Sequence, residues 1–414
     1  MFGREVIQMI NVIGLGYIGL PTALMLAKSG IKVVGTDYNA NLVNSLNQSK
    51  LTFEEDGLEE LFKEALSNGI EFSTEYQKTH TYIVAVPTPY VKDSKKLDPK
   101  YVISAVNSVL DVCEKGAALI IESTVSPGTI DKYIRPEIEK RGFAIGQDVH
   151  LLHAPERIIP GNMIYELEYN SRTIGADNPE IGGKVKGLYE NFCKAEIVVT
   201  DIRSAEMSKV VENTYRDINI AFANELAKIC RTDNMDVYEI IKIANKHPRV
   251  NILQPGPGVG GHCISVDPWF LVGDYPDLTN LILTARKIND SMPRHVLGRI
   301  RDIMREHDIK DISKVGLYGL TYKENVDDTR ESPTLQLLER MDEHLAFGVK
   351  VYDPFVKERI VDHQFMNFED FLNEIEILVV MVGHDHIKNN MDLIKNKLVL
   401  DTKNICSFDG SYKL

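Results

Sequence analysis

The sequence has few cysteines, no excess of positive charge and no long hydrophobic run. Its five cysteines among 414 residues are scattered without a CxxC pair, so neither a disulfide framework nor a metal site is predicted. Lysine and arginine total 47 against 60 aspartate and glutamate residues, which gives a net charge of −13. Such an acidic chain is not expected to have nucleic acid or an anionic membrane as a general partner.

An apolar segment long enough to cross a bilayer is also missing from the sequence. No basic and then apolar leader with a cleavage site is recognisable, because the apolar start runs directly into a glycine-rich turn. We therefore expect a cytoplasmic protein. A hydrophobic content of 43% with 26% charged residues is that of an ordinary globular chain, and its length predicts two or three domains.

The clearest motif lies near the start of the chain. Apolar residues 9–13 run into the string GLGYIG, which is followed by a helix-like segment and a second apolar run that ends in Asp37. Gly14 allows a tight turn, Gly16 lets a pyrophosphate approach the backbone, and Gly19 allows close helix packing. Asp37 would accept from ribose hydroxyls and repel a 2′-phosphate. This pattern predicts a dinucleotide site that prefers NAD to NADP.

Strand-like runs alternate with helix-like segments through the first half, at residues 81–86, 117–121, 149–152 and 197–199. The alternation predicts a doubly wound parallel sheet, whose ligands bind at the carboxyl ends of the strands. Thr88 and Thr124 follow two of these strands and could line a nicotinamide pocket, or equally cap a turn. Glu156 and Arg157 follow a third strand and offer an acid and a cation together.

Helical periodicity replaces this alternation after about residue 203, at 205–227 and 281–303. Lys209, Asn213 and Arg216 share one face of the first of these helices. That face could be functional or simply solvated, and the pattern favours neither.

The final part of the chain returns to α/β alternation, with strands predicted at 314–318, 350–352, 377–382 and 398–401. It lacks GxGxxG and should bind something other than a dinucleotide. The predicted architecture is α/β, with two Rossmann-like doubly wound parallel-sheet domains joined by a central long-helix segment. The predicted ranges are 1–202, 203–308 and 309–414.

A glycine-rich loop, GPGVGGHCISVD at residues 256–267, carries a cysteine. Four glycines and a proline precede Cys263, and Asp267 follows it. Glycine is usually retained where a backbone takes positive φ or closely approaches a ligand. The loop by itself could present a nucleophilic thiol beside an acid, or form a turn around a buried cysteine.

Seven segments in order resemble the UDP-glucose/UDP-N-acetyl-mannosamine 6-dehydrogenase family over essentially the full length. They are GLGYIGLP (14–21), VPTP (86–89), ESTVSPGT (122–129), HAPER (153–157), KVVENTYR (209–216), GPGVGGHCISVDPWF (256–270) and GLTYKENVDDTRESP (319–333). The resemblance implies an NAD-binding domain, a central dimerisation segment and a UDP-sugar-binding domain in the three predicted ranges.

The chemistry implied by the resemblance is a four-electron oxidation of a sugar C6 hydroxymethyl group to a carboxylate, with two NAD⁺ in succession. Cys263 would capture the aldehyde as a thiohemiacetal and then form a thioester that water hydrolyses. Lys209 would favour the thiolate and move protons at the C6 oxygen, and Asn213 would donate to the oxyanion. Asp267 and Glu156 are alternatives for activating the water.

Binding residues are also implied by the resemblance. The implied NAD contacts are Gly14, Gly16, Tyr17, Ile18, Gly19, Asp37, Thr88, Thr124 and Arg330. The implied substrate contacts are Arg157, Ile158, Lys209, Asn213, Arg216, His247, Arg249, Gly260, Tyr322 and Lys323. The loop with His247 and Arg249 is expected to reach into a partner subunit's site, which implies a homodimer, or a dimer of dimers, built through the central helices.

The cysteine loop also bears on the sugar. Enzymes of the family that act on UDP-glucose usually read GYGGxCLPKD there, whereas this chain has His262, Ser265 and Val266 in the corresponding string. The string is more similar to the 2-acetamido-sugar branch, and the VDPW that follows favours UDP-N-acetyl-D-mannosamine. UDP-N-acetyl-D-glucosamine and UDP-glucose are the alternative substrates.

Two other classes of protein share part of these features. A two-electron β-hydroxyacid dehydrogenase would have the dinucleotide domain and a helix lysine near an asparagine, but it needs neither the cysteine loop nor a second α/β domain. A non-catalytic NAD-binding protein would have no use for Lys209, Asn213, Cys263 and Asp267 together. The sequence therefore favours the nucleotide-sugar dehydrogenase.

Overall fold

The computed structural model describes residues 9–261, 263–343, 346–406, 408 and 410–414. The chain forms two compact units; the first ends at Glu212 and the second begins at Asn213, within one continuous helix. The three ranges inferred from the sequence remain a prediction. No helix among the described residues combines the length and the apolar character needed to span a bilayer.

The first unit is built on an eight-stranded sheet, counted over its described residues. The strands are β1 (Ile10–Ile13), β2 (Val33–Thr36), β3 (Glu71–Ser73), β4 (Thr81–Val84), β5 (Ala117–Ile121), β6 (Val149–His153), β7 (Arg172–Ala176) and β8 (Ile197–Thr200). Their order is β3-β2-β1-β4-β5-β6-β7-β8, which confirms the doubly wound α/β prediction. One pair departs from the parallel arrangement, because β7 runs antiparallel to β6.

Helices connect these strands and cover the sheet. They are α1 (Gly19–Lys28), α2 (Ala40–Asn47), α3 (Leu58–Ser67), α4 (Lys100–Val112), α5 (Arg135–Lys140), α6 (Met163–Tyr169), α7 (Pro179–Tyr189) and α8 (Ile202–Thr232), with a π-helical turn at Ile130–Ile134. Apolar side chains alternate between the two faces of the strands, so Val12 and Ile13 belong to different buried clusters. The sheet is therefore buried on both faces, as expected for parallel strands joined by helices.

The helices of the second unit include a break that the periodicity did not predict. After α9 (Val237–Ala244) and α10 (Asp267–Asp274), the predicted helix at 281–303 is two helices, α11 (Asn280–Asp290) and α12 (Met292–Glu306). Ser291 separates them, and Pro293 lies in the first turn of α12. Proline lacks the N–H that a continuous helix would need there, so a new helix begins instead.

A second sheet forms the rest of this unit, with the described strands β9 (Val315–Tyr318), β10 (Lys350–Tyr352), β11 (Gln364–Phe365), β12 (Ile377–Val380), β13 (Leu398–Asp401) and β14 (Tyr412–Lys413). Their order is β11-β10-β9-β12-β13-β14, and all pairs are parallel. The helices are α13 (Pro333–Glu343), α14 (Phe368–Glu374), α15 (Asp385–Lys388) and α16 (Met391–Ile394). The central four strands thus repeat the β2-β1-β4-β5 arrangement of the first unit.

A buried charge network joins α8 to α11 in the second unit. The Arg286 guanidinium donates to Asp217 at 2.6 Å, to the Ile264 carbonyl at 3.4 Å and to Asp290. Asn289 donates to the same Asp217 carboxylate at 2.8 Å. Because Arg286 and Asp217 are both excluded from water, each charge depends on the other. The network also ties the segment before α10 to the helices through Ile264.

Replacing Arg286 by methionine should destabilise the protein by about 3–5 kcal/mol, because it leaves the Asp217 carboxylate buried without a cation. The matched control is Arg305→Met, which removes an arginine whose pair with Asp302 lies at the surface. That change should cost less than about 1 kcal/mol. Urea unfolding followed by circular dichroism measures both, and equal stabilities of the two variants would contradict the role given to Arg286.

Candidate active site

The GLGYIG turn after β1 requires glycine at two positions for reasons internal to the protein. Gly14 has φ +89°, and a Cβ there would lie 2.4 Å from the Ala85 carbonyl oxygen. A Cβ on Gly19 would lie 1.9 Å from the Gly14 carbonyl oxygen. The first glycine therefore makes the turn and the third brings α1 against it, as a dinucleotide-binding turn requires.

Gly16 differs, because a Cβ at this exposed position would meet no protein atom within 4 Å. Its glycine is not explained by packing, but it fits the close approach of a ligand pyrophosphate. α1 begins beside it at Gly19 without a side-chain cap. Uncapped N–H groups at a helix N-terminus favour phosphate oxygens. The residues of this turn thus suit the diphosphate of NAD.

Asp37 follows β2 and is fixed by two backbone N–H groups. Its Oδ2 accepts from Leu15 at 2.9 Å, and its Oδ1 accepts from Asn39 at 2.9 Å. The carboxylate is therefore held at the strand end where ribose hydroxyls bind in this fold. A 2′-phosphate would meet its negative charge, so NAD is favoured over NADP.

The other predicted cofactor residues fall in different places. Tyr17 is half-buried and packs on Phe53 with ring centroids 4.4 Å apart, and Ile18 precedes α1. Thr88 and Thr124 are half-buried after the carboxyl ends of β4 and β5. Arg330 belongs to the second unit, where its guanidinium donates to Asp328 at 2.5 and 2.8 Å.

Glu156 lies in a buried ionic cluster of the first unit. Its carboxylate pairs with Arg172 and accepts from the Arg157 backbone N–H at 2.6 Å. Arg172 also contacts Glu122 at 3.5 Å, and its guanidinium lies 4.6 Å from the centre of the Tyr189 ring. Burial raises the pKa of Glu122 to about 7, although the Arg172 cation opposes that shift. The buried Arg172 guanidinium therefore pairs with both the Glu122 and the Glu156 carboxylates.

The segment between β6 and α6 is held by further contacts. The imidazole of His153 bonds through Nδ1 to the Ile121 carbonyl at 2.8 Å, and burial lowers its pKa to about 4. The Arg157 guanidinium donates to Thr173 and Ser171 at 2.9 Å and pairs with Glu212 at 2.7 Å. Ile158 is buried. These contacts fix the backbone that carries Glu156 and Arg157.

In the second unit, the cysteine loop places a thiol at the surface and an acid behind it. Cys263 is exposed, and none of the five cysteines is in a disulfide. Asp267 is buried at the start of α10, and its backbone N–H donates to the Cys263 carbonyl at 2.8 Å. The Asn213 amide donates to the Asp267 carboxylate at 2.6 Å. The structure therefore brings together three of the predicted catalytic residues.

The turn after β9 packs against the glycines of this loop. A Cβ on Gly261 would lie 2.7 Å from the Tyr322 ring, and one on Gly260 would lie 2.5 Å from the Glu331 carbonyl oxygen. The Gly261 N–H donates to the Arg330 carbonyl at 3.0 Å. Lys323 is half-buried next to Tyr322. Two predicted substrate segments, the cysteine loop and the Tyr322–Lys323 turn, are thus in direct contact.

The remaining predicted residues differ in exposure. Lys209 and Asn213 are buried on α8, but Arg216 is exposed on the same helix. His247 and Arg249 are exposed after α9. His262, one of the residues that bear on the sugar, lies outside the described residues.

Several residues that build the site were not identified from the sequence. Glu206 on α8 is buried and accepts from the Gly128 and Ile130 N–H groups at 2.5 and 3.0 Å, which holds the turn after β5. Arg172 lies in β7, a strand that the apolar pattern did not indicate. A buried arginine or glutamate carries no local signal, because its partner lies far away in the sequence. Only the fold brings the two together.

Comparison with known protein families gives one match for each part of the chain. The NAD binding domain of the UDP-glucose/GDP-mannose dehydrogenase family matches residues 8–193, its central domain matches 203–291, and its UDP binding domain matches 316–408. The chain belongs to this family. Its cofactor is accordingly NAD, and the glycine turn lies within the part of the chain that matches the NAD binding domain.

Individual relatives are similar over nearly their whole length. UDP-N-acetyl-D-mannosamine dehydrogenase of Methanocaldococcus jannaschii is 43% identical over 407 residues, which cover 96% of this chain and 92% of the relative. NDP-N-acetyl-D-galactosaminuronic acid dehydrogenase of Ralstonia nicotianae is 38% identical, with 96% of each chain covered. The solved structure of UDP-N-acetyl-mannosamine dehydrogenase from Staphylococcus aureus has a TM-score of 0.87 and 41% identity, with 98% of each chain covered.

Replacing Gly16 by alanine should weaken NAD⁺ use without unfolding the protein, because the new methyl group would meet no protein atom within 4 Å but would lie where we expect the pyrophosphate. We expect kcat/KM for NAD⁺ to fall on the order of 10- to 100-fold, since a small displacement of a reacting group is costly. Steady-state kinetics and thermal melting measure the two effects. Gly187→Ala, at an exposed position of α7 with no protein atom nearby, is the control. A Gly16→Ala enzyme with wild-type NAD⁺ kinetics would refute this role.

Proposed function

We propose that this protein oxidises the C6 hydroxymethyl group of UDP-N-acetyl-D-mannosamine to the carboxylate of UDP-N-acetyl-D-mannosaminuronate. The observation that carries the proposal is the exposed Cys263 thiol beside the buried Asn213–Asp267 pair, in a chain with an NAD turn. A two-electron alcohol dehydrogenase has no use for a nucleophile at this position. The names of the M. jannaschii and S. aureus relatives support the choice of sugar.

The reaction consumes one sugar alcohol, two NAD⁺ and one water, and gives one carboxylate, two NADH and three protons. NAD⁺ accepts the hydride in each of the two oxidations. The thiol of Cys263 adds to the intermediate aldehyde, so that a C–S bond forms and the aldehyde oxygen becomes a hydroxyl group. Loss of the second hydride leaves a thioester, and water breaks its C–S bond to release the acid and restore the thiol.

Asn213 and Asp267 are the groups that we assign to the tetrahedral intermediates. One N–H of the Asn213 amide donates to Asp267, which fixes the orientation of the amide. Its second N–H is the donor that we assign to the oxyanion, a contact typically worth about 100- to 1000-fold in rate. Lys209 is the proposed proton donor and acceptor at the C6 oxygen, and it favours the thiolate.

Asp267 is also our choice for activating the hydrolytic water. It contacts both the Cys263 backbone and the Asn213 amide, whereas the Glu156 carboxylate is engaged by Arg172 and the Arg157 N–H. Asp267 is also four residues from Cys263 in the same loop, whereas Glu156 lies in the segment after β6. Glu156 is therefore assigned to shaping the site through Arg157.

Substrate recognition is proposed for cations that can bind the diphosphate and for neighbouring groups that bind the rest of the nucleotide sugar. The cations are Arg157, Arg216, Arg249 and Lys323. The neighbouring groups are Ile158, His247, Gly260 and Tyr322. Phosphate is bound by such cations even in a protein of net charge −13, because recognition depends on the local field. Arg330 is proposed to contact NAD.

The test is an NADH-production assay with UDP-N-acetylmannosamine, UDP-N-acetylglucosamine and UDP-glucose. We expect a preference for the first and two NADH per sugar. Preference for another sugar would change the substrate and leave the mechanism intact, whereas one NADH per sugar would favour the β-hydroxyacid dehydrogenase class.

Cys263→Ser should lose net acid formation, and Cys406→Ser is the matched control. Wild-type turnover by Cys263→Ser would refute the thioester route.

A homodimer through α8 is the second part of this proposal. Four apolar side chains of α8 are between 47 and 63% exposed: Val211, Tyr215, Phe222 and Ile229. Their spacing places them on one face of the helix. An exposed apolar stripe of this kind is typical of a protein interface, and a second copy is the occupant that we propose. The exposure of His247 and Arg249 suits a loop that reaches into a partner's site. A cytoplasmic location remains a prediction.

The double variant Phe222→Lys/Ile229→Lys should be a monomer, because two charges would be buried at the proposed interface. Sedimentation velocity of the full-length protein measures this directly. Val198→Lys is the control, because Val198 is 45% exposed and belongs to β8 rather than to α8. A wild-type protein that sediments as a monomer, or a double variant that remains a dimer, would rule out this interface.

A further inference from the structure

The second unit repeats the strand register and the first residues of the NAD turn, although its next helix, α13, begins only at Pro333. β9 pairs with β10 and β12 in the register in which β1 pairs with β2 and β4, so Tyr318 corresponds to Ile13. The string GLTYKE that follows β9 therefore matches GLGYIG. By the same register Asp353 corresponds to Asp37. His384 is as far beyond β12 as Thr88 is beyond β4. The second unit thus shares the strand ends and the turn of a dinucleotide site, but not the helix that begins directly after the turn.

In the second unit, the polar positions at these strand ends are bonded to the protein itself. Asp353 is buried, and its Oδ2 accepts from the N–H groups of Leu320 and Thr321 at 2.6 and 3.1 Å. Its Oδ1 accepts from Phe355 at 2.7 Å. Burial opposes ionisation, but these bonds and His384 hold the pKa of Asp353 below its ordinary value. All of these bonds are to protein groups, so the Asp353 carboxylate is not positioned to bind the ribose of a ligand.

His384, which follows β12, binds the same turn as Asp353. The Asn325 N–H donates to its Nδ1 at 2.9 Å, so the ring proton is on Nε2. Nε2 faces Asp353 Oδ2 at 3.2 Å and Thr321 Oγ1 at 3.3 Å. The Thr321 hydroxyl in turn donates to the Lys323 carbonyl at 2.8 Å. His384 and Asp353 therefore bind the backbone of residues 320–325 at both ends and through Thr321.

The turn that they hold carries Tyr322 and Lys323 and supports the cysteine loop. The Tyr322 N–H donates to the Asp328 carbonyl at 3.0 Å, and its ring fills the space that any side chain at position 261 would need. The Gly261 N–H is bound to the Arg330 carbonyl of the same segment. Gly261 is two residues before Cys263. A displacement of the turn would therefore move both the substrate residues and the nucleophile.

We propose that His384 and Asp353 are positioning residues that hold the 320–325 turn in place. This turn places Tyr322 and Lys323 for contact with the UDP-sugar and supports the cysteine loop. The pair occupies the position where the first unit has its ribose-binding acid and a cofactor-site threonine. The second unit thus uses the polar positions of a dinucleotide crevice to build a rigid support. The assignment of substrate and nucleophile to this turn and loop rests on the proposed function.

The test compares His384→Ala and His384→Asn with His386→Ala in the full-length protein. His386 lies two residues further on, in α15, and packs on Tyr318, but no hydrogen bond joins its side chain to the 320–325 backbone. The readouts are calorimetric binding of UDP, iodoacetamide modification of Cys263 followed by mass spectrometry, and the kinetics of both substrates. Cys263→Ser defines the background from the other thiols.

For His384→Ala we expect UDP binding and kcat/KM for the UDP-sugar to fall about 10-fold or more, because the Asn325 N–H and Asp353 lose a buried partner. The Cys263 modification rate should change at least about threefold, since the loop loses its support, while KM for NAD⁺ stays within about twofold. His384→Asn should recover part of the loss, because its side-chain oxygen can accept from Asn325. His386→Ala should behave as wild type.

A folded His384→Ala enzyme with wild-type UDP binding and wild-type Cys263 reactivity would overturn the proposal. Equal losses in His386→Ala would also overturn it, because they would indicate general damage to the unit. UDP binding and thiol modification need no turnover. If the wild-type protein makes no NADH from any UDP-sugar, the proposed function fails, and these two measurements still decide the role of His384.

Discussion

The structure depends on one interaction that occurs in each of its units: a carboxylate at the end of the second strand binds the N–H that follows the first glycine of the turn. Asp37 binds Leu15 at 2.9 Å, and Asp353 binds Leu320 at 2.6 Å. The bond fixes the turn against the sheet. In the first unit the adjacent Gly16 is exposed, whereas in the second Thr321 and His384 fill the corresponding place. The same framework thus serves as a cofactor site and as a support.

The sequence predicted most reliably those features that consecutive residues encode. GLGYIG and Asp37 belong to one strand–turn–helix–strand unit, so their spacing determines their geometry, and the described turn matches that prediction. The cysteine loop was noticed for a similar reason, because its glycines are close together in the sequence, but only the structure shows that Tyr322 and Glu331 leave no room for a side chain there. Family resemblance added the roles proposed for residues such as Lys209, whose helix position alone could equally have belonged to a solvated face.

Other features could not be predicted, because they depend on partners that are distant in sequence. Arg172 is in a strand that runs antiparallel to its neighbour, and its two carboxylate partners come from other strand ends. Nothing near Arg286 in the sequence indicates that it is buried against Asp217. The break at Ser291 was different, since Pro293 was a visible local signal that the hydrophobic period outweighed. Asp353 and His384 also had a signal, because each follows a strand as Asp37 and Thr88 do.

Two residues of the cysteine loop that bear on the choice of sugar, Ser265 and Val266, are buried, so they need not contact the sugar directly. Ser265 and Val266 are buried behind Cys263, and the Ser265 hydroxyl donates to the Gly261 carbonyl. A lysine at 266, as in the UDP-glucose branch, would have to reach water or a buried partner from this position. Valine at this position places no cation beside the thiol, and Lys209 is the cation that we propose to favour the thiolate. Ser265 and Val266 therefore shape the loop through packing and a hydrogen bond behind Cys263.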